Sequence, residues 1–277
     1  MSDILLIDGD IIRYRCAFAA EKTHYLVTQI FEGYQQYHEF DTAKEAKEYI
    51  ETWEPEQANT WTRKETQPVE FALQATKTTM ESILARFDNP LYRLYLSGST
   101  NFRDSVATTK KYKGDRPPKP KHYKAVGQYL EEQYGAKYTY GIEADDAIAL
   151  DAASLGESVV IVSTDKDLRQ IPGRHYDWTT GELGRVSRRE AAFNFCRQIL
   201  TGDPTDNIPG LEGVGPATAE KILDGANSTR ELMERVRSAY RDHGKSRGWS
   251  EPRCREYFIE QATLVKIGER FADTGSD

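Results

Sequence analysis

The chain has 277 residues, of which 38% are hydrophobic and 29% are charged, and its formal net charge is −7. This length and composition are typical of a globular protein with a sizeable core, and the negative charge argues weakly against a nucleic-acid partner. No run of about 18 apolar residues occurs, and the N-terminal segment carries acids, so neither a membrane span nor a secretory signal is expected.

The cysteine and histidine residues exclude two further classes. Cys16, Cys196 and Cys254 are far apart and odd in number, which argues against a disulfide framework and favours the reducing cytoplasm. The five histidines form neither an HExxH motif nor a Cys/His cluster, so a zinc site is not expected.

Short β-branched and apolar runs alternate with helical patterns along the chain. This alternation predicts an α/β fold with a mainly parallel central sheet. The predicted strands are 4–8, 91–96, 137–140, 159–163 and 174–178, and the predicted helices are 70–87, 121–134 and 143–155.

Two parts of the chain do not follow this alternation. Residues 19–69 are interpreted as an insertion, with a hairpin at 25–40 and a polar helix at 41–53 that begins at an Asp cap. From about residue 186 the strands stop, and the remainder is predicted to be helical. The predicted organisation is a core of residues 1–185 and a helical lobe of residues 186–277, packed as one unit.

Acidic residues follow several of the predicted strands. In parallel sheets, ligands bind beyond the carboxyl ends of the strands. Clustered carboxylates without Cys or His suit Mg²⁺ or Mn²⁺, and two such ions about 4 Å apart can activate a water and stabilise the leaving oxygen of a phosphodiester. The candidate metal ligands are Asp8, Asp10, Glu143, Asp145, Asp146, Asp165, Asp167, Asp203 and Asp206.

Each acidic motif also has an ordinary structural interpretation. The segment DGD at 8–10 is often a turn, TDKD at 164–167 is often a strand-to-helix turn, and EADD at 143–146 suits the positive end of a helix. Taken together at one predicted edge of the sheet, the motifs favour a metal site.

Residues 110–124 carry seven Lys or Arg residues against one Asp. Such a run is either a solvated loop or a phosphate-binding element, in which Tyr112 and Tyr123 would be available to stack on bases. The residues alone leave both interpretations open.

A glycine-rich turn precedes a helical pattern at 217–223. Gly213, Val214 and Gly215 come directly before Pro216, which suits the first turn of a helix. Backbone amides at the positive end of a helix can bind a phosphate, and such contacts position a nucleic-acid backbone without reading its sequence.

Five segments together resemble the 5′ nuclease (flap endonuclease) family. They are IDGD (7–10), YKGDRPP (112–118), GIEADDAIA (141–149), STDKDLRQI (163–171) and GDPTDNIPGLEGVGPATAEKIL (202–223). The family includes the 5′ nuclease domain of bacterial DNA polymerase I and the standalone 5′→3′ exonucleases of tailed phages. The resemblance covers roughly residues 1–18 and 91–223, and the size of the chain is most similar to the phage enzymes.

The resemblance implies a fold and an activity. The expected fold is a PIN-like parallel sheet with a helical arch, here in the region 97–130, and a helix–three-turn–helix motif that holds duplex DNA. The expected activity is 5′→3′ exonuclease and 5′ flap endonuclease cleavage with Mg²⁺, for which Mn²⁺ can substitute, leaving a 5′-phosphate and a 3′-hydroxyl.

The resemblance also implies roles for individual residues. Asp8, Glu143, Asp145, Asp146, Asp165, Asp167 and Asp206 match metal-site acids, and Asp203 matches an acid at the edge of that site. Lys113 and Arg116 match basic residues that contact the scissile phosphate, and Arg15 matches a basic position on the first helix. The expected DNA-binding residues are Gly213, Val214, Gly215, Ala217, Thr218, Lys110, Lys111 and Lys121, with a K⁺ ion at the hairpin 210–218.

One position departs from the family pattern. The family has an Asp just past the second strand, followed by an aromatic–Arg pair; here the pair is Phe102–Arg103 and Gly98 occupies the acidic position. We expect Asp10 to supply or water-bridge the missing ligation.

Two alternatives accompany the nuclease interpretation. The chain could be a DNA-binding module that lost its chemistry through Gly98, or a PIN-type ribonuclease, against which the glycine turn and the YKGDRPP segment argue. The expected partner is duplex DNA with a 5′ end or flap, with RNA–DNA hybrids as further substrates. The expected setting is a monomer that serves phage DNA replication, recombination or primer removal in the host cytoplasm.

Overall fold

The computed structural model of the chain describes residues 3–31, 34–52, 58–269 and 271. The strands of this part are β1 (Ile4–Asp8), β2 (Glu21–Phe31), β3 (Tyr34–Phe40), β4 (Ala58–Thr66), β5 (Leu91–Asn101), β6 (Lys137–Gly141), β7 (Val159–Val162), β8 (Gly173–Asp177) and β9 (Glu182–Val186). The helices are α1 (Gly9–Phe18), α2 (Ala43–Glu51), α3 (Val69–Arg86), α4 (Arg103–Val106), α5 (Tyr123–Tyr134), α6 (Ala144–Leu155), α7 (Arg188–Thr201), α8 (Pro216–Leu223), α9 (Thr229–Ser246) and α10 (Glu251–Val265).

A six-stranded sheet in the order β6-β5-β1-β7-β8-β9 forms the centre of the first compact unit. All of its pairings are parallel except that of β8 with β9. The innermost strands are apolar on both faces, with Leu5, Leu6 and Ile7 of β1 fully buried, as expected for a sheet covered on both sides. The prediction of an α/β fold with a mainly parallel sheet is therefore confirmed.

Two apolar cores stabilise this unit, which comprises residues 1–11, 82–118 and 131–277. Helix α6 packs on the sheet, where Ile148 meets Ile161 and Leu168. The other core lies among the four helices α7, α8, α9 and α10, and its buried members include Leu200 and Val236. The boundary at residue 185 between core and lobe remains a prediction.

The second unit comprises residues 12–81 and 119–130 and contains the predicted insertion. Here β2 lies between β3 and β4 in an antiparallel sheet. The predicted hairpin is present, but the helix after it begins one residue later than expected, because the side chain of Thr42 rather than Asp41 accepts the amide of Glu45. The sequence did not predict β4, whose residues 59–65 are exposed.

The region in which the resemblance implies a helical arch is built differently. Helix α4 is only four residues long, and residues 107–122 form turns and extended chain before α5 begins. Pro117, Pro118 and Pro120 account for this, because proline cannot donate the backbone hydrogen bond that a helix interior requires.

None of the helices in the described ranges is long and apolar enough to cross a membrane.

Candidate metal centre

Asp8 ends the central strand β1 and is held in place by its neighbours. Its Oδ1 accepts hydrogen bonds from the amides of Asp10 at 3.1 Å and Ile11 at 3.3 Å, which fixes the carboxylate over the first turn of α1. Its Oδ2 accepts a hydrogen bond from the Ser163 hydroxyl at 2.7 Å. Only 2% of the residue is exposed.

Asp10 reaches β5 at Ser97, the residue before Gly98, where the family pattern has an acid. Its Oδ2 accepts the amide of Ser97 at 3.1 Å. A Cβ atom on Gly98 would lie 2.3 Å from the Thr139 carbonyl oxygen, so the backbone at Gly98 packs too closely against β6 to accept a carboxylate side chain without a shift. The Asp10 carboxylate thus contacts Ser97, the residue directly before Gly98, which occupies the position of the missing acid.

Asp165 and Asp167 follow β7 in a tight turn. The Ser163 hydroxyl accepts the amide of Asp165 at 2.9 Å while it donates to Asp8, so one serine joins the ends of β1 and β7. Asp165 Oδ1 accepts the amide of Asp167 at 2.8 Å. Both carboxylates are thereby fixed at the carboxyl edge of the sheet.

Glu143, Asp145 and Asp146 lie at the start of α6. The amide of Glu143 donates to Asp146 Oδ2 at 3.0 Å, which caps the helix and draws Asp146 inward. Asp146 is fully buried and paired with Arg103, whereas Glu143 and Asp145 are partly exposed. The three adjacent acids are therefore in different environments.

Glu143 and Asp206 share two partners, Tyr112 and Lys113. The Tyr112 hydroxyl lies 2.8 Å from a carboxylate oxygen of each, Lys113 forms ion pairs with both, and Arg116 pairs with Asp206. These cations come from the YKGDRPP segment. The structure thus brings Lys113 and Arg116 to the acidic site, as expected.

The stacking role considered for Tyr112 and Tyr123 is wrong, because both residues are buried. Tyr112 is 6% exposed, its ring packs in the helical core and its hydroxyl faces the two carboxylates. Tyr123, in the second unit, is 7% exposed and covered by Arg13, whose guanidinium carbon lies 3.7 Å from the ring centroid.

A cavity of about 30 Å³ brings together five of the nine candidate acids; Asp8, Asp10, Asp146 and Asp165 do not line it. This volume is enough for one water-sized occupant. Besides Arg103, Tyr112 and apolar residues that include Leu264 and Val265 of α10, it is lined by carboxylates from three separate places in the chain. These carboxylates belong to Glu143, Asp145, Asp167, Asp203 and Asp206.

The carboxylates repel one another strongly. Burial, together with the charges of Asp10 and Asp165, raises the pKa of Asp8 to about 7. Burial and then the charges of Asp8 and Asp165 raise the pKa of Asp145 well above its ordinary value. Burial and the charge of Asp165 raise the pKa of Asp167 to about 6. The protein holds these acids together at an electrostatic cost.

Asp203 differs from its neighbours. Burial acts to raise its pKa, but hydrogen bonding with Asp167 and the charge of Lys166 leave the pKa below its ordinary value. The Lys166 ammonium lies 3.0 Å from an oxygen of Asp167 and 3.8 Å from one of Asp203, and this side chain is 72% exposed. An exposed lysine therefore offsets part of the negative charge at this edge.

The donor set fits a hard divalent cation. It consists of oxygen ligands without a sulfur or imidazole partner, and the repulsion among the acids is what a bound cation would relieve. Among the described residues, no three acidic, His or Cys side chains already form a closed set of ligands. Glu143 and Asp206 are instead turned toward Lys113 and Arg116.

Most of the predicted DNA-contacting residues are exposed, whereas Val214 is partly buried against the helical core. Gly213, with a φ of 81°, and Gly215, at the start of α8, have open space where a Cβ would lie, so another chain could approach their backbone. Ala217, Thr218, Lys110 and Lys111 are also exposed in this unit. Arg15 and Lys121 are exposed in the second unit.

Comparison with known proteins finds bacterial DNA polymerase I and a flap endonuclease among the relatives. The chain is 38% identical over 110 residues to DNA polymerase I of Rhizobium leguminosarum, a match that covers 35% of this chain and 11% of that protein. It is 34% identical over 137 residues to the flap endonuclease Xni of Shewanella amazonensis, covering 44% of this chain and 54% of that protein. The chain therefore spans less than two thirds of these relatives. No protein-family model matches it.

The resemblance to the 5′ nuclease family is confirmed. The fold of the chain is also shared with solved structures. A structure described as divalent zinc ions bound to T5 5′-exonuclease aligns with a TM-score of 0.55 and 15% identity over 95% of this chain and 88% of that one. A structure of the T5 D15 protein co-crystallised with metal ions aligns with a TM-score of 0.53 and 15% identity over the same shares.

Sequence reasoning missed three residues that shape the site. Ser163 joins Asp8 to Asp165, Arg103 pairs with Asp146, and Gln170 hydrogen-bonds the end of α10. The Phe102–Arg103 pair was noted only as a family landmark. The available signal was Asp146, which directly follows Asp145: a buried acid at this position requires a cationic partner, here Arg103.

Proposed function

We propose that this chain is a divalent-metal-dependent 5′→3′ exonuclease with structure-specific 5′ flap endonuclease activity on DNA. The observation that carries the proposal is the convergence of five carboxylates from three separate places in the chain on one small cavity. The kinship with a flap endonuclease and the fold shared with T5 5′-exonuclease support this choice of reaction.

The resident cofactor in this proposal is Mg²⁺, with Mn²⁺ as a substitute. Bound ions would activate the attacking water and neutralise charge that develops on the phosphate. The acids proposed to hold them are Asp8, Asp10, Glu143, Asp145, Asp165, Asp167, Asp203 and Asp206. Asp10 takes the place of the family acid replaced by Gly98, in support of which its Oδ2 already bonds the amide of Ser97.

Lys113 and Arg116 are proposed to bind the scissile phosphate. In the structure they neutralise Glu143 and Asp206, so they stand beside the acids with their charges directed at the site. A phosphate that enters would exchange these carboxylate partners for phosphate oxygens. Donors already in position at developing negative charge lower the barrier because they need not be reorganised during the reaction.

Duplex DNA with a 5′ end or a 5′ flap is the proposed substrate. The exposed backbone of Gly213 to Gly215 and the start of α8 would hold the phosphate backbone of the duplex, with K⁺ at residues 210–218, within the helical lobe proposed for residues 186–277. Lys110, Lys111, Lys121 and Arg15 would add contacts that do not depend on base sequence. Removal of RNA primers during phage DNA replication, by a monomer in the host cytoplasm, is the proposed setting.

Cleavage of a 5′-labelled flap duplex tests the proposal. Wild type is compared in Mg²⁺ and in EDTA, next to Asp165→Asn and the control Asp242→Asn, which changes an exposed acid of α9. Mg²⁺-dependent products should vanish in Asp165→Asn and remain in Asp242→Asn. Tight binding without cleavage in both Mg²⁺ and Mn²⁺ would instead show that the chain is a DNA-binding module.

A further inference from the structure

The last turn of α10 and the segment after it are held by side chains from three distant parts of the chain. Arg103 donates from Nε to the Leu264 carbonyl at 2.9 Å and from Nη2 to the Lys266 carbonyl. Gln170 donates to the Val265 carbonyl at 2.8 Å and accepts the Ile267 amide at 3.4 Å. We call residues 264–268 the C-terminal brace.

Asp146 completes this set of contacts. Its Oδ1 accepts from Arg103 Nη2 at 2.8 Å and from the Gly268 amide at 2.9 Å. Its Oδ2 accepts from Arg103 Nη1 at 2.7 Å and from the Glu143 amide at 3.0 Å. A carboxylate has about four acceptor positions, and here all of them are used by protein donors in a fully buried site.

We infer that Asp146 is a positioning residue rather than a metal ligand, and that with Arg103 it fastens the C-terminal brace to the start of α6. This inference rests on the proposed metal-dependent function, because it concerns how the ligands Glu143 and Asp145 are oriented. It departs from the expectation that all three acids of EADD bind metal.

The position of the brace explains how it acts on the site. Leu264, Val265 and Ile267 line the same cavity as the carboxylates of Glu143 and Asp145. Residue 146 is one position from Asp145 and holds the backbone amide of Glu143. A change in the Asp146–Arg103 pair therefore shifts the two acids at the helix start. Arg103 also acts on Glu143 directly, because its Nη1 lies 3.5 Å from a carboxylate oxygen of that residue.

Mn²⁺ binding in the absence of DNA distinguishes a metal ligand from a positioning residue at Asp146. The two roles predict changes of opposite sign in Mn²⁺ affinity when Arg103 is substituted. If Asp146 were a ligand, Arg103 would compete with the metal, and Arg103→Gln would tighten Mn²⁺ binding. If the pair positions the site, Arg103→Gln and Asp146→Asn should each weaken Mn²⁺ binding by about 10–100-fold, the range found for residues that orient metal ligands. The number of ions bound per chain should stay that of wild type.

Titration calorimetry and Mn²⁺ electron paramagnetic resonance measure both quantities. Asp151→Asn is the matched control, because Asp151 lies on the same helix as Asp146 and its substitution breaks an ion pair with Arg93 of β5 but leaves the brace intact. The double variant of Asp146 and Arg103 should bind no more weakly than either single variant. Tighter binding in Arg103→Gln, or loss of an ion in Asp146→Asn alone, would overturn the inference.

A milder variant covers the case in which both substitutions unfold the protein. Arg103→Lys keeps a positive charge beside Asp146, but it cannot bond two carbonyls and both carboxylate oxygens at once. It should weaken Mn²⁺ binding about tenfold; unchanged or tighter binding would overturn the inference. The nuclease proposal fails separately, if wild type binds Mn²⁺ but does not cleave flap DNA.

Discussion

Asp8→Asn should stabilise the metal-free protein at high pH. The substitution removes one charge from the group of repelling acids and keeps the shape of the side chain. Asn Oδ1 can still accept the amides of Asp10 and Ile11, and the Ser163 hydroxyl can accept from the new amide group. The main change is therefore electrostatic.

The pKa of Asp8 gives the size and the sign of the effect. It rises from the ordinary value of 3.8 to about 7 on folding. A group whose pKa is raised in the folded state lowers stability progressively as pH rises from the unfolded to the folded value. The shift of about 3 units corresponds to at most about 4 kcal/mol at about 1.4 kcal/mol per unit. Because Asp10 and Asp165 share this repulsion, we expect about 1–3 kcal/mol.

Urea unfolding in EDTA at pH 5 and pH 8 measures this effect. At pH 5, which lies between the unfolded and folded pKa values, only part of the destabilisation is present, so the variant gains less than at pH 8. At pH 8 the variant should exceed wild type by about 1–3 kcal/mol more than it does at pH 5. The comparison between the two pH values cancels structural effects of the amide, and Asp242→Asn controls for the loss of a surface charge.

One result would refute this reasoning. If the difference between Asp8→Asn and wild type is the same at pH 5 and pH 8, Asp8 is not held against the repulsion of its neighbours. Addition of Mg²⁺ at pH 8 should also stabilise wild type more than the variant, since a ligand that binds the folded state stabilises it by mass action.

Three further substitutions test other contacts of the site. Gly98→Asp should cost about 1–3 kcal/mol in urea unfolding and should not raise cleavage, because its Cβ would lie 2.3 Å from the Thr139 carbonyl oxygen; a folded variant with higher activity would contradict this. Tyr112→Phe removes a hydroxyl shared by two partly buried carboxylates and should cost about 1–3 kcal/mol in urea unfolding; unchanged stability would show that the hydroxyl does not stabilise the fold. Lys113→Ala should lower single-turnover cleavage of flap DNA by about 100-fold or more, with a smaller change in DNA affinity; equal losses in both would assign the lysine to binding alone.

The elements that carry the site were predicted because their sequences are locally unambiguous. The runs ILLID and VVIVS are apolar at every position before the acid or Ser163, a pattern that a doubly covered strand requires. By contrast, β4 has the sequence ANTWTRKET and alternates weakly, because it lies at the edge of the inserted sheet and is exposed. Its strand state depends on pairing with β2, which local sequence does not show.

The candidate site was predictable in its members but not in its contacts. The spacing of acids after strands placed Asp8 and Asp165 at one edge, and the Ser163 bridge is consistent with that placement. No local pattern indicates that Asp146 would be taken up by Arg103, 43 residues away, and by the amide of Gly268, 122 residues away. Such partners depend on how the chain closes on itself.

The contacts divide the acids of the site into two electrostatic groups. Asp8 and Asp145 are raised in pKa chiefly by burial and by other carboxylates, so their charge calls for an external cation. Glu143 and Asp206 are already neutralised by Lys113 and Arg116, the residues proposed to bind phosphate. An incoming phosphate that draws these cations away would free the two carboxylates for metal ions. A bound metal ion would in turn occupy the carboxylates and free the two cations for phosphate. Substrate and metal ions would therefore favour each other's binding.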